Sequence, residues 1–111
     1  MSAVDMMRLG VGPVLQATPF AAVVVAAIEA DNEGVVVRDE GGYLRVQVPH
    51  VCRLSRSTLV ATAGHEVRLP GDLEVIMSSF SGLVRMSESG AVWWLASEPV
   101  PPPLTPDAEQ T

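Results

Sequence analysis

Hydrophobic and polar positions alternate most regularly near the middle of the chain. Residues 43–48 alternate, and on the other side of Gly41-Gly42 residues 35–40 run from three valines into three charged residues. This is the pattern of a β-hairpin with a two-residue turn, because glycine tolerates the backbone angles that such a turn requires. The sequence therefore predicts two antiparallel strands whose register is fixed by the turn.

That register gives the hairpin one mostly apolar face and one mostly polar face, which makes the pairing self-consistent. Arg38 faces Arg45 on the polar face, and like charges placed opposite each other are unfavourable. Glu40 is placed to offset this repulsion. The polar face is interpreted as a solvated surface, with a contact for an acidic partner as the alternative. The pairs predicted on the mostly apolar face are Val35–Val48, Val37–Val46 and Asp39–Leu44, and those on the mostly polar face are Val36–Gln47, Arg38–Arg45 and Glu40–Tyr43.

A strand followed by a helix is predicted ahead of the hairpin. Residues 11–17 read as a strand, in which Gly12-Pro13 indicates an edge position or a bulge. Thr18-Pro19 is a helix start, because threonine caps the first turn and proline loses no hydrogen bond there. The helix is predicted to run to Asn32. It is apolar nearly all round, so it is either buried on two sides or carries a binding patch, and burial in the core is the favoured interpretation.

The second half of the chain predicts one helix and three strands. Ser55 caps a helix over residues 56–63 after a short extended piece at 51–54. Strands are predicted at 73–77, 83–86 and 91–96, and residues 78–82 read as a bulge or an exposed loop. The predicted order is β-α-β-β-α-β-β-β. This order indicates an α+β fold, a mainly antiparallel sheet with two helices packed on it.

The ends of the chain differ in composition from the middle. Residues 1–9 are predicted to form a flexible N-terminal arm. Five prolines within the last 13 residues preclude regular helix and sheet, so residues 98–111 are predicted to form a disordered Pro-rich tail. Residues 10–97 then form the single folded domain.

Charge and cysteine content narrow the function classes. The 111-residue chain has a formal net charge of −6. That sign argues against nucleic acid and against anionic membrane surfaces, both of which attract basic proteins. The longest apolar run has nine residues, whereas a membrane-spanning helix needs about 20. The single cysteine and a start without a signal-peptide pattern fit a cytoplasmic protein, and the free chain is expected to be a monomer.

The residues that usually carry chemistry are absent or isolated. The sequence contains no nucleotide-binding glycine motif, no nucleophile elbow and no Glu-x-x-His metal pattern. His50 and His65 read as surface histidines, and Cys52 as a small core residue. Adjacent Trp93 and Trp94 point to opposite faces of a strand, so at most one is predicted to be core, the other being a rim or interface residue. We therefore predict no cofactor, no metal and no catalytic residue.

Four segments, taken in order, carry a resemblance to a known family. They are Val11-Gly12-Pro13-Val14-Leu15, Ile28-Glu29-Ala30-Asp31-Asn32, Tyr43-Leu44-Arg45-Val46 and the ten residues from Leu73 to Gly82. The set resembles the effector, or coupling, proteins of soluble bacterial di-iron monooxygenases, which include the regulatory component of methane monooxygenase and the effectors of toluene and phenol hydroxylases. The likeness covers residues 9–95 and does not include the Pro-rich tail.

The resemblance implies a cofactor-free regulatory subunit that binds the di-iron hydroxylase component of a monooxygenase. Such a subunit regulates access of substrate and oxygen and couples electron use to product formation. By match to the family pattern, the segment that faces the hydroxylase contains Ser78, Ser79, Phe80 and Gly82, and Asp31 and Asn32 match a second contact. Phe80 stands where some relatives carry a smaller polar residue. The alternative is a free-standing small-ligand or regulatory binding domain unrelated to oxygenases.

Overall fold

The computed structural model describes residues 3–104, in which four helices and seven strands follow one another along the chain. In chain order they are α1 (Ala3–Leu9), β1 (Gly10–Gln16), α2 (Pro19–Asp31), β2 (Val36–Asp39), β3 (Tyr43–Pro49), β4 (Val51–Ser55), α3 (Arg56–Ala63), α4 (Gly71–Ile76), β5 (Met77–Ser81), β6 (Leu83–Ser87) and β7 (Gly90–Trp94).

The strands form two antiparallel sheets. The first has the order β2-β3-β1-β5 and the second the order β4-β7-β6. Strands β5 and β6 are edge strands of different sheets, and Gly82 alone connects them. The α+β class is confirmed, and the predicted helices and strands follow one another in the predicted order. Helices α1 and α4 and strand β4 are additional, and the strands divide into two sheets.

The predicted register of the hairpin is confirmed by the four residue pairs that β2 and β3 form. The structure pairs Val37 with Val46 and Arg38 with Arg45, as the two-residue turn requires. The Arg45 Nε donates to Glu40 Oε1 at 3.0 Å. The carboxylate therefore offsets the repulsion between the two arginines, as the sequence predicts.

Helices α2 and α3 begin as predicted. The Thr18 side chain accepts a hydrogen bond from the Ala21 N–H at 3.1 Å, and the Ser55 side chain accepts one from the Thr58 N–H at 3.3 Å. Each cap satisfies a backbone donor that the first helical turn leaves free, which contributes about 1 kcal/mol. Gly64 ends α3 in the left-handed conformation that favours glycine.

The segment from Gly71 to Ser81 differs from the prediction. The sequence predicts a strand at 73–77 and a bulge or an exposed loop at 78–82, whereas the chain forms helix α4 and then strand β5, whose pairing with β1 shifts in register at Ser78. Leu73 and Ile76, three residues apart, are buried on one side of the helix, and Val75 between them is exposed. This three-residue spacing suits a helix, and the short apolar run concealed it because strand and helix patterns are alike over so few residues.

The N-terminal residues also differ from the expected flexible arm, since Ala3–Leu9 form helix α1. The Met6 side chain is buried, and a Cβ at Gly10 would lie 2.5 Å from the Met6 carbonyl oxygen. The absence of a side chain at Gly10 thus lets the helix turn directly into β1. The Leu9 carbonyl accepts a hydrogen bond from the His50 N–H at 2.9 Å, which ties this helix to the end of β3.

One apolar core joins both sheets to the helices. Residues of β1 and β3 from the first sheet pack with residues of β4 and β7 from the second, and with one face of α2. Trp93 and Trp94 are both buried, at 0% and 6% exposure. Of the two, only Trp93 belongs to the central core, so the prediction that at most one of them is core holds. The expectation that the second tryptophan lies at the rim or at an interface is wrong, because Trp94 is buried.

The tail was predicted as disordered from residue 98 onward, and its described part is irregular but packed. Residues 99–104 form neither helix nor strand. Even so, Pro101 is buried and Leu104 is half-buried. Residues 105–111 of the predicted tail lie outside the described residues.

Candidate functional site

Strand β5 places the predicted contact residues along one exposed edge. It pairs with β1 on one side only, and its other side is the free edge of the first sheet. Ser78, Ser79 and Phe80 are exposed. Free strand edges present unpaired backbone groups to neighbouring molecules, so β5 offers hydrogen-bonding groups as well as side chains to a partner.

A shift in register shapes this strand. The pairing of β5 with β1 slips between Val14 and Leu15, which leaves Ser78 opposite no single β1 residue. The Ser78 Oγ donates to the Val14 carbonyl oxygen at 3.3 Å. Ser78 is thus anchored to the sheet through its side chain, whereas the Ser79 hydroxyl has no such bond among the described residues.

Phe80 is the large apolar side chain of the strand, and 43% of it is exposed. The sequence left open whether this ring belongs to the core or to an interface. Its exposure excludes a core position. An aromatic ring that remains half in water on a free edge is a typical interface anchor, because its burial against a partner releases apolar surface from water.

Two further apolar residues are exposed close to β5 along the chain. Val75, on α4, is 77% exposed, and Leu83, at the start of β6, is 46% exposed. They lie on either side of residues 77–82 along the chain. Val75 was missed because residues 73–77 were read as a strand.

An open cleft lies next to α4. It has a volume of about 470 Å³ and runs between the start of α2 and the exposed side of α4. Its walls include the apolar side chains of Phe20, Val75 and Ile76, with His65 and Asp72 contributing polar atoms. Because α4 leads directly into β5, this cleft and the exposed edge strand are neighbours along the chain.

Asp31 and Asn32, the other two predicted contact residues, end helix α2 at a different place. The Asp31 carboxylate accepts hydrogen bonds from the Ser55 N–H at 2.8 Å, from the Ser55 hydroxyl at 3.0 Å and from the Thr58 hydroxyl at 2.6 Å. The Asn32 amide donates to the carbonyls of Ile28 and Arg53, both at 2.7 Å.

These bonds place Asp31 and Asn32 against β4 and the start of α3. Strand β7 lies between β4 and β6 in the second sheet, so this pair is not clustered with the β5 edge. Both residues are half-buried. Their polar atoms already stabilise the junction of three elements, and their contact with a partner stays a prediction.

The titratable residues do not assemble into a reactive site within residues 3–104. No group of three or more His, Cys, Asp or Glu side chains in this range is placed to hold a metal ion. Burial raises the pKa of the Cys52 thiol far above its usual value, and the nearby Asp31 carboxylate raises it further. The thiol therefore stays protonated, as expected of the core residue that the sequence predicts.

The two histidines lie at the surface, as predicted. The His65 Nδ1 contacts the Glu66 carbonyl oxygen at 2.9 Å, and the His50 Nδ1 contacts Glu98 Oε1 at 2.7 Å. Each therefore has a local partner.

No described helix is long and apolar enough to cross a membrane.

Comparison with known proteins identifies relatives. Residues 10–94 match the model of the MmoB/DmpM family. The chain is 37% identical over 95 residues to the alkene monooxygenase system effector subunit of Xanthobacter autotrophicus (strain ATCC BAA-1158 / Py2), an alignment that covers 84% of this chain and 93% of that protein.

A solved structure has the same fold. It is a chain of a complex between a phenol hydroxylase and its regulatory protein, and it superposes with a TM-score of 0.70 at 16% sequence identity. The match covers 78% of this chain and 97% of that chain.

Proposed function

The chain belongs to the MmoB/DmpM family, and from this membership we propose that it is the effector subunit of a multicomponent monooxygenase. In this role it binds the di-iron hydroxylase component in the cytoplasm and tunes how that component uses substrate, oxygen and electrons. The observation that carries the proposal is the 37% identity to an alkene monooxygenase effector subunit across 84% of the chain. The reactive metal centre then belongs to the partner, and this chain contributes a surface.

The β5 edge is the proposed docking surface. Ser78, Ser79 and Phe80 are exposed on a strand with a free side, and Gly82 turns the chain into β6. Docking would bury the Phe80 ring, and full burial of such a side chain is worth about 1.5–3 kcal/mol relative to leaving it exposed. Asp31 and Asn32 belong to the proposal as a second contact region, whose shape the bonds to Ser55 and Arg53 maintain.

The regulatory mechanism follows from differential binding. An effector changes the hydroxylase only by binding one of its conformations more tightly than another. Coupling free energies of this kind are typically about 1–3 kcal/mol. The rigid edge formed by β5 and the Gly82 corner is suited to select one arrangement of the hydroxylase surface, because its backbone is fixed by pairing with β1.

Steady-state oxidation tests the proposed role. Purified hydroxylase and reductase from the same system are titrated with this protein, and product formation and NADH consumption are followed together. We expect the rate and the product formed per NADH to rise and to saturate near one effector per hydroxylase active site. An unchanged rate and an unchanged product yield at saturating protein would refute the effector role.

Variants of the edge strand test the docking surface. We expect Phe80→Ala, alone or with Ser79→Ala, to raise the effector concentration that gives half-maximal activity by about 5- to 150-fold, the range that corresponds to 1–3 kcal/mol. Tyr43→Ala is the matched control, because Tyr43 is also aromatic and 44% exposed but lies on β3, which β1 separates from β5 in the first sheet. Equal effects of the Phe80 and Tyr43 variants would refute the assignment to β5.

A further inference from the structure

The outer face of the second sheet is buried along β7, although Leu83, Arg85 and Ser87 beside it on β6 are exposed. Along β7, Ala91 and Trp93 belong to the central core, so Val92 and Trp94 point to the opposite face because side chains alternate along a strand. Val92 is 2% exposed and Trp94 is 6% exposed. These two apolar side chains must therefore be buried by another part of the molecule.

The segment that follows β7 is in position to cover them. The Glu98 N–H donates to the Leu95 carbonyl at 3.0 Å, and this turn reverses the chain at the end of β7. Further along, Leu104 lies beside Gly90, where a Cβ would be 2.6 Å from Leu104 Cδ1. The chain thus leaves β7 at its end and returns to its beginning.

The dimensions agree with this path. A polyproline segment advances about 3.1 Å per residue, so the five steps from Pro99 to Leu104 span about 16 Å. The four steps from Trp94 back to Gly90 along β7 span about 13 Å at about 3.3 Å per residue. Pro101, near the middle of the segment, is buried, as expected of a residue that lies on the face between these two ends.

We propose that residues 98–104 form a strap that packs on the outer face of the second sheet. The segment that covers this face is thus part of the same chain. Proline rings pack well on aromatic side chains in an extended conformation that needs no backbone partner. Trp94 supplies the aromatic surface, and the Arg85 guanidinium lies 5.8 Å from the centre of its ring. The His50–Glu98 contact at 2.7 Å fastens the start of the strap to the β3–β4 corner.

The strap also fixes the corner from which the proposed docking strand extends, an inference that rests on the proposed function. Trp94 pairs directly with Leu83 in the sheet, and a Cβ at Gly82 would be 2.6 Å from the Trp94 carbonyl oxygen. Trp94 is therefore in close contact with the turn between β5 and β6. When the strap holds Trp94, it holds the Gly82 corner, and with it the position of Phe80.

Two substitutions in the strap of the full chain distinguish the effect of its packing on the sheet from the effect of losing any apolar side chain. Leu104→Ser removes the half-buried side chain beside Gly90, and Val100→Ser removes an apolar side chain that is 59% exposed on the same segment. Acrylamide quenching of tryptophan emission measures the covering of Trp94, because both indoles are buried in the intact protein. We expect Leu104→Ser to make one of the two indoles accessible to the quencher and Val100→Ser to leave both protected.

The same variants are then titrated against the hydroxylase. We expect Leu104→Ser to raise the effector concentration for half-maximal activity about 5- to 10-fold, with Val100→Ser equal to the unmodified chain. Equal quenching in the two variants would overturn the strap. Increased quenching with unchanged hydroxylase titration would overturn the link to the Gly82 corner. Failure of the unmodified chain to affect the hydroxylase would refute the proposed function, and the quenching result would still decide whether the strap exists.

Discussion

At the residue scale, the hydrogen bonds of a side chain decide how much of it is available to a partner. The Asp31 carboxylate accepts three hydrogen bonds from Ser55 and Thr58, and the Asn32 amide bonds to the backbone of Arg53 in both directions. Ser79 and Phe80 are exposed instead. The resemblance of the sequence to its family grouped all four residues as contacts, because a sequence pattern does not reveal which polar atoms are satisfied internally.

Cys52 gives a prediction about pH and stability. Burial raises the pKa of its thiol in the folded protein, whereas the unfolded chain has the ordinary value of about 8.5. Above that pH the unfolded state loses the proton and the folded state keeps it. The free energy of unfolding should therefore fall as the pH rises, by up to about 1.4 kcal/mol per pH unit between the two pKa values, and be unaffected by this group below pH 8.

Cys52→Ala provides the comparison for this prediction. Urea unfolding of both proteins between pH 7 and pH 10 gives two slopes of stability against pH. The variant is less stable at every pH because it leaves a small cavity, but it lacks the thiol, so its slope above pH 8.5 should be shallower. Parallel slopes for the two proteins would show that the thiol ionises equally well in the folded state.

At the scale of helices and strands, local interactions were predictable and long-range pairing was not. The β2–β3 hairpin has the predicted register, because its two strands are joined by a two-residue turn that sets the register. Strand β5 exists because it pairs with β1, more than 60 residues earlier in the chain. Its polar residues, Ser78, Ser79 and Ser81, are not among the residue types that favour strands, so the sequence indicated a bulge or a loop, and only the register shift against β1 matches that prediction.

Gly82 is one of two single-residue connections between the sheets in the described chain, His50 between β3 and β4 being the other, and its replacement tests the role of the β5–β6 corner. Its φ of 91° lies in the region that favours glycine, and a Cβ would be 2.6 Å from the Trp94 carbonyl oxygen and 2.8 Å from Val11 Cγ1. We expect Gly82→Ala to lower the free energy of unfolding by about 1–3 kcal/mol, since the substitution adds both backbone strain and overpacking.

Gly42→Ala is the control for this substitution, because a Cβ there would meet nothing within 4 Å and the residue is not among those with positive φ. Urea unfolding of both variants measures the difference. If Gly82→Ala were as stable as Gly42→Ala, the β5–β6 corner would be free to adjust, and the rigid docking edge proposed above would lose its physical basis.

At the scale of the whole molecule, both sheets share a single core. Val11 and Val46 of the first sheet belong to the same buried cluster as Leu54 and Trp93 of the second. Alternation in the hairpin predicted that Val46 and Val48 share one face, and both are buried, whereas β7 is buried along its whole length and the division into two sheets depends on contacts between distant segments. The same holds for the tail, whose prolines predicted irregular structure correctly for residues 99–104 but did not reveal that the segment packs.

The shared core predicts that the molecule unfolds in one step. Tryptophan emission reports on the second sheet, which contains both indoles, whereas far-UV circular dichroism reports on both sheets and all helices. Because removal of either sheet would expose the core face of the other, neither sheet retains its stabilising apolar contacts alone. The two probes should therefore give the same urea midpoint and the same slope, as expected of a cooperative domain of this size. An earlier midpoint for the tryptophan signal would show instead that the second sheet opens separately from the first.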